Sequence, residues 1–203
     1  MTHGHTIESL VLFEQRVADA FEAKQVKGPI HLCSGTQAEP LLKIFEGIGP
    51  EDWVFSTWRS HWHCLLKGVP EEEVFAAILA GRSMYLNFAK QRVVCSAIVG
   101  GILPIALGVS MGLRRQRREF ARGPWVHVFV GDMAETTGLY HEFRRYANGH
   151  DLPVRVHVED NGLSTNAETE ETWGFQQDGW PTTDRYTYRR TRPHTGTGKH
   201  VTF

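Results

Sequence analysis

A compact β-rich run, Trp-Val-His-Val-Phe-Val, occupies residues 125–130 and is followed by Gly131-Asp132. A helical pattern covers about residues 137–148, and a second run, Leu-Pro-Val-Arg-Val-His-Val, occupies residues 152–158. Strand, helix and strand within about forty residues predict a βαβ unit with parallel strands and a right-handed crossover. We therefore predict an α/β fold with a mostly parallel sheet flanked by helices.

The sequence on the N-terminal side of this unit has mainly helical patterns. Apolar residues recur every three or four positions from Ile7 to Val26, which predicts a first helix that ends before Gly28-Pro29. Two further helices are predicted over residues 37–48 and 71–80, with a short strand at Trp53–Ser56 between them. We predict one domain over residues 1–203: a mainly helical part (1–90), a βαβ core (91–166) and a basic C-terminal tail (167–203).

Charge and cysteine content exclude several classes of protein. The 203 residues carry 22 Lys and Arg against 23 Asp and Glu, a net charge of −1, which argues against a nucleic-acid binder. Cys33, Cys64 and Cys95 are odd in number and contain no CxxC pair, which argues against a disulfide framework or a structural zinc site. We expect a soluble, cytoplasmic protein.

An uncharged segment, Ser96–Leu113, calls for a membrane test because four arginines follow it closely. It is shorter than the ~20 apolar residues of a membrane span and is interrupted by glycines and by Pro104. We therefore predict a buried helix and no membrane association.

Polar residues follow both strands of the βαβ unit. Asp132 and Asn161 are 29 residues apart, and the carboxyl ends of parallel strands meet at one sheet edge. Their oxygens, with the Leu163 carbonyl, are ligands of the kind that Mg²⁺ or Ca²⁺ takes, and the helix start after Asp132 could bind phosphate. Alternatively, Asp132 caps the helix and Asn161-Gly162 forms an ordinary turn. Spacing alone does not separate the two interpretations.

The segment from Gly131-Asp132-Met133-Ala134 to Asp160-Asn161 is similar to the thiamine-diphosphate motif. Its surroundings resemble the alpha subunit of the decarboxylating component of 2-oxo-acid dehydrogenases, and the resemblance covers residues 8–165. Six more segments have counterparts in the same order: residues 28–35, 57–61, 83–84, 97–100, 138–142 and 152–153. The resemblance implies the thiamine-diphosphate-binding fold, with this chain as its diphosphate-binding module.

The resemblance also implies the binding residues. Asp132, Asn161 and the carbonyl of Leu163 fall where the family binds Mg²⁺. Arg59, with Trp58, falls where the diphosphate is held. The alternative is a surface ion pair, which the neighbouring Trp58, His61, Trp62 and His63 disfavour. The full implied set for thiamine diphosphate is Trp58, Arg59, Ile98, Val99, Gly100, Gly131, Asp132, Met133, Ala134, Asn161 and Gly162.

Three histidines are implied as catalytic. His31 matches an active-site histidine of the family, whose protonation could stabilise charge near neutral pH, and His61 closes the matching segment 57–61. His194 ends the segment 187–194, which resembles a Tyr-Arg-containing loop of the family that ends in an active-site histidine. The histidine lies one residue later here than in the family. A histidine in an apolar stretch is otherwise more often structural, and the basic tail could instead fold against a partner or a phosphorylated ligand.

The sequence departs from the family pattern at three places. Met133 replaces the second glycine of the motif, and Asp160 replaces its first asparagine, which adds a negative charge beside the metal. Only 187 − 161 = 26 residues separate Asn161 from Thr187, fewer than is usual in the family.

The implied activity is decarboxylation of a small 2-oxo acid and transfer of the resulting acyl or aldehyde unit. In the family, a beta-type subunit supplies the pyrimidine-binding domain and its activating glutamate, so we expect an α2β2 heterotetramer with helix 97–113 at a subunit contact. Two alternatives are a transketolase-like or acyloin-forming carboligase subunit and a non-catalytic assembly subunit. A nucleotide site is disfavoured because the chain has no GxGxxG and no P-loop motif.

Overall fold

A computed structural model describes residues 3–116, 123–174 and 183–198. The helices are α1 (Ile7–Glu22), α2 (Ala38–Glu46), α3 (His61–Leu66), α4 (Glu71–Leu79), α5 (Ile102–Gln116), α6 (Asp132–Glu135), α7 (Gly138–Gly149) and α8 (Thr169–Trp173). The strands are β1 (Trp53–Ser56), β2 (Asn87–Phe88), β3 (Val93–Cys95), β4 (Val126–Gly131), β5 (Val154–Asp160), β6 (Leu163–Ser164), β7 (Ala167–Glu168) and β8 (Thr183–Thr187).

The main sheet has the strand order β2-β3-β1-β4-β5-β8. Its strands pair in parallel except for β2, which runs antiparallel to β3. The predicted α/β fold and its βαβ unit are confirmed, because β4 and β5 are direct parallel neighbours with Val128 opposite Val156. Strands β6 and β7 form a separate hairpin.

Helices cover both faces of this sheet. On one face, α1 to α4 pack around Leu10, Leu41, Trp62 and Phe129. On the other face, α5 and α7 pack on the valines of β4 and β5. Alternation along β4 divides the two cores, because Val128 and Val130 point to one face and Phe129 to the other.

Helix α5 differs from its prediction. It begins at Ile102, because the preceding residues form a turn in which Ser96 Oγ accepts the Ile98 N–H and Gly100 has a φ of +71°. Ile102, Leu103 and Ala106 are buried, whereas Ile105 on the opposite face is 52% exposed, so the prediction of a buried helix is correct for one face only. Among the described residues, no helix has the length and apolar character that crossing a bilayer requires.

The chain after β8 crosses the carboxyl edge of the sheet, and we call residues 188–197 the strap. The Tyr188 N–H donates to Asp160 O (2.8 Å) at the start of the strap, and the Gly196 N–H donates to Ile30 O (2.9 Å) near its end. Between them, Ser34 Oγ accepts the N–H groups of Thr191 and Arg192. The strap therefore brings the basic C-terminal residues over the strand ends.

Candidate cofactor site

A cleft lies where the carboxyl ends of β1, β4, β5 and β8 meet. It encloses about 700 Å³, its open mouth included. The segments that line it are Thr57–Arg59 after β1, Gly131–Ala134 after β4, and Leu163–Thr165 after β5, with Asn161, Tyr188, Arg190 and His194. This is the edge at which open α/β sheets bind ligands.

The cleft brings the three predicted metal ligands together. Asp132 is buried as the first residue of α6, and its carboxylate accepts a hydrogen bond from Thr169 Oγ1. Burial raises the pKa of Asp132 and outweighs this hydrogen bond. Gly131, rather than Asp132, is the cap residue of α6, so the interpretation of Asp132 as a helix cap is wrong.

The side chain of Asn161, at the end of β5, makes two hydrogen bonds. Its Oδ1 accepts the Leu163 N–H at 2.9 Å, which makes the turn that its sequence allowed. Its Nδ2 donates to the Tyr188 hydroxyl at 2.7 Å. Asn161 and Leu163 both line the cleft together with Asp132, so the turn does not remove Asn161 from the cleft.

The extra carboxylate of Asp160 pairs with an arginine of the chain, and the same arginine also pairs with Glu135. Arg185 Nη1 donates to Asp160 Oδ2 at 2.5 Å, and Arg185 Nη2 pairs with the buried Glu135. Asp160 Oδ1 accepts the Gly162 N–H at 3.0 Å. This departure from the family pattern therefore shares a counter-ion on β8 with the buried Glu135.

Met133 lines the cleft, but its sulfur accepts a hydrogen bond from Trp173 Nε1 at 3.0 Å. The side chain is thus held toward α8. Its helical backbone needs no glycine, because residues 132–135 form α6.

Arg59 and Trp58 lie on the β1 side of the cleft. Arg59 is buried and donates from Nε to Leu32 O (3.1 Å) and from Nη2 to His194 O (3.4 Å). Both acceptors are uncharged, so the positive charge of Arg59 is available to a ligand. Within the described part of the chain, the buried indole N–H of Trp58 has no hydrogen-bond partner, so it is an unmet donor next to Arg59 in sequence.

His31 and His194 pack on Trp58, with ring centroids 5.8 and 6.1 Å from its ring. His31 is buried behind the cleft lining and donates from Nδ1 to His194 O at 2.7 Å. Burial lowers the pKa of His31 to about 4, so its imidazole is neutral near pH 7. The expected role of a protonated His31 is therefore not supported. His194 lines the cleft itself.

The structure places His61 away from the cleft. Its Nδ1 donates to the carboxylate of Glu14 (3.0 Å), and its Nε2 lies 2.8 Å from Ser83 Oγ, all within the helical core. His61 is fully buried there, so the geometry favours a structural role over a catalytic one. Two of the residues predicted to bind cofactor also lie outside the lining: Ile98, which is 72% exposed, and Gly162, which turns the chain with a φ of +69°.

Comparison with known proteins identifies a family and several relatives. Residues 6–174 match the sequence model of the dehydrogenase E1 component family. The chain belongs to this family. Curated E1-type relatives include the alpha subunit of acetoin:2,6-dichlorophenolindophenol oxidoreductase from Cupriavidus necator, 26% identical over 178 residues, which are 83% of this chain and 51% of the relative.

The corresponding subunit from Bacillus subtilis is 28% identical over 160 residues, 74% of this chain and 46% of the relative. The pyruvate dehydrogenase E1 alpha subunit of Porphyra purpurea is 27% identical over 162 residues, 73% of this chain and 47% of the relative. This E1 chain therefore spans about half the length of the curated relatives that it matches.

Sequence reasoning missed Glu159, Tyr188 and Arg190 in the lining of this E1 cleft. Glu159 is buried, and its Oε1 lies 3.2 Å from His63 Nε2 and accepts Gln37 Nε2 at 3.0 Å. Burial raises the pKa of Glu159, but His63, Tyr186 and Gln37 together outweigh burial and lower it. The only sequence signal for Glu159 was its place at the end of β5.

The three predicted metal ligands suit a cation whose remaining ligands are water and phosphate oxygens. Within residues 3–116, 123–174 and 183–198, no three His, Cys, Asp or Glu side chains converge on one metal position. Asp132, the Asn161 amide and the Leu163 carbonyl offer only hard oxygen donors. Such a set suits Mg²⁺ completed by water and phosphate oxygens.

Proposed function

We propose that this chain is the alpha-type subunit of an enzyme that decarboxylates a 2-oxo acid with thiamine diphosphate and Mg²⁺ and transfers the resulting acyl or aldehyde unit. One observation carries the proposal: Asp132, Asn161 and Leu163 line the same cleft as Arg59, whose hydrogen-bond acceptors among the described residues are both uncharged. Metal-type oxygens and an arginine held by neutral acceptors in one cleft suit a metal-bound diphosphate. Membership of the E1 family supports the same assignment.

The residues of the chain divide the work by their chemistry. Asp132, Asn161 Oδ1 and the Leu163 carbonyl would hold Mg²⁺, while Arg59 and the Trp58 N–H would bind diphosphate oxygens. Thiamine diphosphate supplies the electron sink for loss of carbon dioxide. His194 lies at the cleft wall, and the neutral His31 orients it through its carbonyl. The predicted Ile98 and Gly162 would act only through their neighbours Val99 and Asn161.

The proposal includes a beta-type partner subunit, because in the family the activating glutamate lies in the pyrimidine-binding domain of that subunit. The exposed face of α5 supports an α2β2 heterotetramer with such a partner. Ile105 is 52% exposed there, and a Cβ added at Gly108 or Gly112 would meet nothing within 4 Å. We place the enzyme in the cytoplasm, since Cys33, Cys64 and Cys95 are free and buried.

The first test measures the melting temperature of the chain assembled with its beta-type partner, with and without Mg²⁺ and thiamine diphosphate. At 100-fold excess over Kd, about 2.7 kcal/mol of added stability is expected, and Asp132→Ala should abolish the shift. Asp19→Ala removes an exposed carboxylate on α1 and should leave the shift intact. Absence of any shift in the parent chain would favour a non-catalytic assembly subunit.

A second test concerns the reaction. The chain assembled with its beta-type partner is incubated with a 2-oxo acid, once with a lipoylated acceptor and once with an aldehyde. An acylated lipoyl product supports the dehydrogenase assignment, whereas an acyloin identifies a carboligase.

A further inference from the structure

Arg190 is an arginine at the rim of the cleft that the proposed function leaves unused. It follows β8 within the strap and lines the cleft beside His194. Its Nη1 donates to Thr165 O at 3.0 Å and its Nη2 to Asn166 Oδ1 at 3.4 Å. Both acceptors belong to the turn between β6 and β7, so the guanidinium has a fixed position on neutral partners.

The charge of Arg190 is not compensated by the described part of the chain. Arg16, Arg92 and Arg185 each pair with at least one glutamate there, whereas Arg190 pairs with no acidic side chain among those residues. Burial, followed by the charge of Arg59, lowers the pKa of Arg190. Two arginines that repel each other across one cleft are the arrangement expected of a site for anions.

Arg59 and Arg190 lie at different depths in the cleft. Arg59 is 7% exposed and Asp132 is 4% exposed, so the diphosphate end of the cleft is its buried end. Arg190 is half-buried, and the residues that hold it, Thr165 and Asn166, are exposed. A molecule that enters through the open mouth therefore meets Arg190 before it reaches the buried end.

Its position at the rim leaves Arg190 for the substrate, because Arg59 and Asp132 at the buried end of the cleft are the side chains placed to hold a metal-bound diphosphate. The carboxylate of a 2-oxo acid that leaves as carbon dioxide is a poor target for a fixed arginine, because tight binding of it would stabilise the ground state. A second carboxylate, which keeps its charge throughout the reaction, has no such cost.

We propose that Arg190 is a specificity-determining residue that selects 2-oxo acids carrying a second carboxylate at the end remote from the reacting carbonyl. The proposal rests on the proposed function and adds the substrate class. The planar guanidinium of Arg190 would form two hydrogen bonds with that carboxylate, while Thr165 and Asn166 hold the guanidinium in place.

The test compares two probes of equal chain length, 2-oxoglutarate and 2-oxopentanoate, which differ only by the terminal carboxylate. Their dissociation constants are measured by calorimetry on the purified chain, with and without Mg²⁺ and thiamine diphosphate. Four proteins are compared: the parent chain, Arg190→Gln, Arg190→Lys and Arg189→Gln. Arg189 is the matched control, because it is the adjacent arginine, is exposed and lies outside the cleft lining.

The parent chain should bind 2-oxoglutarate at least about tenfold more tightly than 2-oxopentanoate. Arg190→Gln should remove this preference, Arg190→Lys should retain part of it, and Arg189→Gln should leave it intact. Equal affinity for both acids, or no binding of 2-oxoglutarate, overturns the proposal. So does a weaker affinity of Arg190→Gln for thiamine diphosphate with the preference unchanged. Absence of thiamine diphosphate binding to the parent chain contradicts the proposed function instead, and the cofactor-free titrations then decide the role of Arg190.

Discussion

Asn161 donates a hydrogen bond of 2.7 Å from its Nδ2 to the hydroxyl oxygen of Tyr188. This contact fixes the orientation of the amide, so that Oδ1 is turned toward the Leu163 N–H and the cleft. Tyr188 is buried, and burial raises its pKa to about 12, so the hydroxyl keeps its proton over the physiological range. A strap residue thus holds one proposed metal ligand in place.

Tyr188→Phe tests this positioning. The variant leaves Asn161 Nδ2 without its partner, and loss of one hydrogen bond costs about 1 kcal/mol. We expect the Kd of thiamine diphosphate with Mg²⁺ to rise about fivefold, measured by calorimetry. Tyr85→Phe, at a residue that is 51% exposed, is the control. An unchanged Kd in Tyr188→Phe would show that Asn161 needs no support from the strap.

Gly35→Ala tests how closely the strap packs. Gly35 has a φ of +66°, and a Cβ there would lie 1.8 Å from the carbonyl oxygen of Arg189. The left-handed backbone alone should cost about 1–2 kcal/mol, and the clash should displace the strap. We expect a lower urea midpoint and faster trypsin cleavage after Arg189 and Arg190.

Gly47→Ala is the matched substitution for this experiment. Its added Cβ would meet Ile44 O at an ordinary 3.5 Å, and its φ is −89°. Stability within about 1 kcal/mol of the parent chain is expected there. Equal effects of both substitutions would refute the close packing of the strap on Gly35.

Arg185→Met tests the counter-ion of Asp160. The substitution leaves Glu135, whose side chain is 2% exposed, without its cation. Because an unpaired buried charge is costly, we expect a loss of about 3 kcal/mol in the free energy of unfolding, measured in urea. Arg16→Met breaks a surface ion pair with Glu71 and Glu72 and should cost less than about 1 kcal/mol. A comparable loss in both variants would argue against the buried network.

The buried histidine pair of the sheet predicts a pH dependence of stability. His127 Nδ1 and His157 Nε2 are 2.9 Å apart, and burial, assisted by the charge of His127, lowers the pKa of His157 well below its usual value. The unfolded chain takes up this proton near pH 6.5, whereas the folded chain does not. Stability is therefore complete above about pH 6.5 and declines as the pH falls below it.

Urea unfolding at pH 8 and between pH 6.5 and 5 measures this decline. Each histidine kept neutral by the fold contributes a slope of up to about 1.4 kcal/mol per pH unit. His31, with a pKa of about 4, acts in the same direction. His157→Gln should reduce the slope, and its difference from the parent chain at pH 8 reports the change in packing and in the hydrogen bond with His127. A stability that is constant between pH 8 and 5 would contradict the assignment.

The predicted βαβ unit was visible in the sequence because β4 and β5 each have valine at every second position and a helical pattern lies between them. Helix α3 was not predicted, since its six residues are buried on all sides and show no amphipathic pattern. Strand β3 has three residues, and strand β8 reads Thr-Asp-Arg-Tyr-Thr, a polar edge strand that only its pairing with β5 reveals.

The site was predictable where it rests on single strand ends, as with Asp132, Asn161 and Arg59. It was not predictable where distant segments decide the environment of a residue. His61 fits its motif, yet Glu14 from α1 occupies its Nδ1. Arg190 lies in the segment 187–194, which resembles a family loop, but that resemblance assigned no role to it, and its place at the rim depends on the β6–β7 turn.

The strap also has a bearing on the order in which the molecule assembles. Its bonds join residues very far apart in sequence, such as Arg189 to Thr36, Thr191 to Ser34 and Arg192 to Gln15. Such distant contacts carry a large loop-closure entropy and cannot form until the sheet beneath them exists. The chain should therefore pass through an intermediate in which the sheet has formed but the strap has not yet docked and the cleft cannot bind its ligand. A ligand that contacts both strap and sheet would stabilise the docked strap.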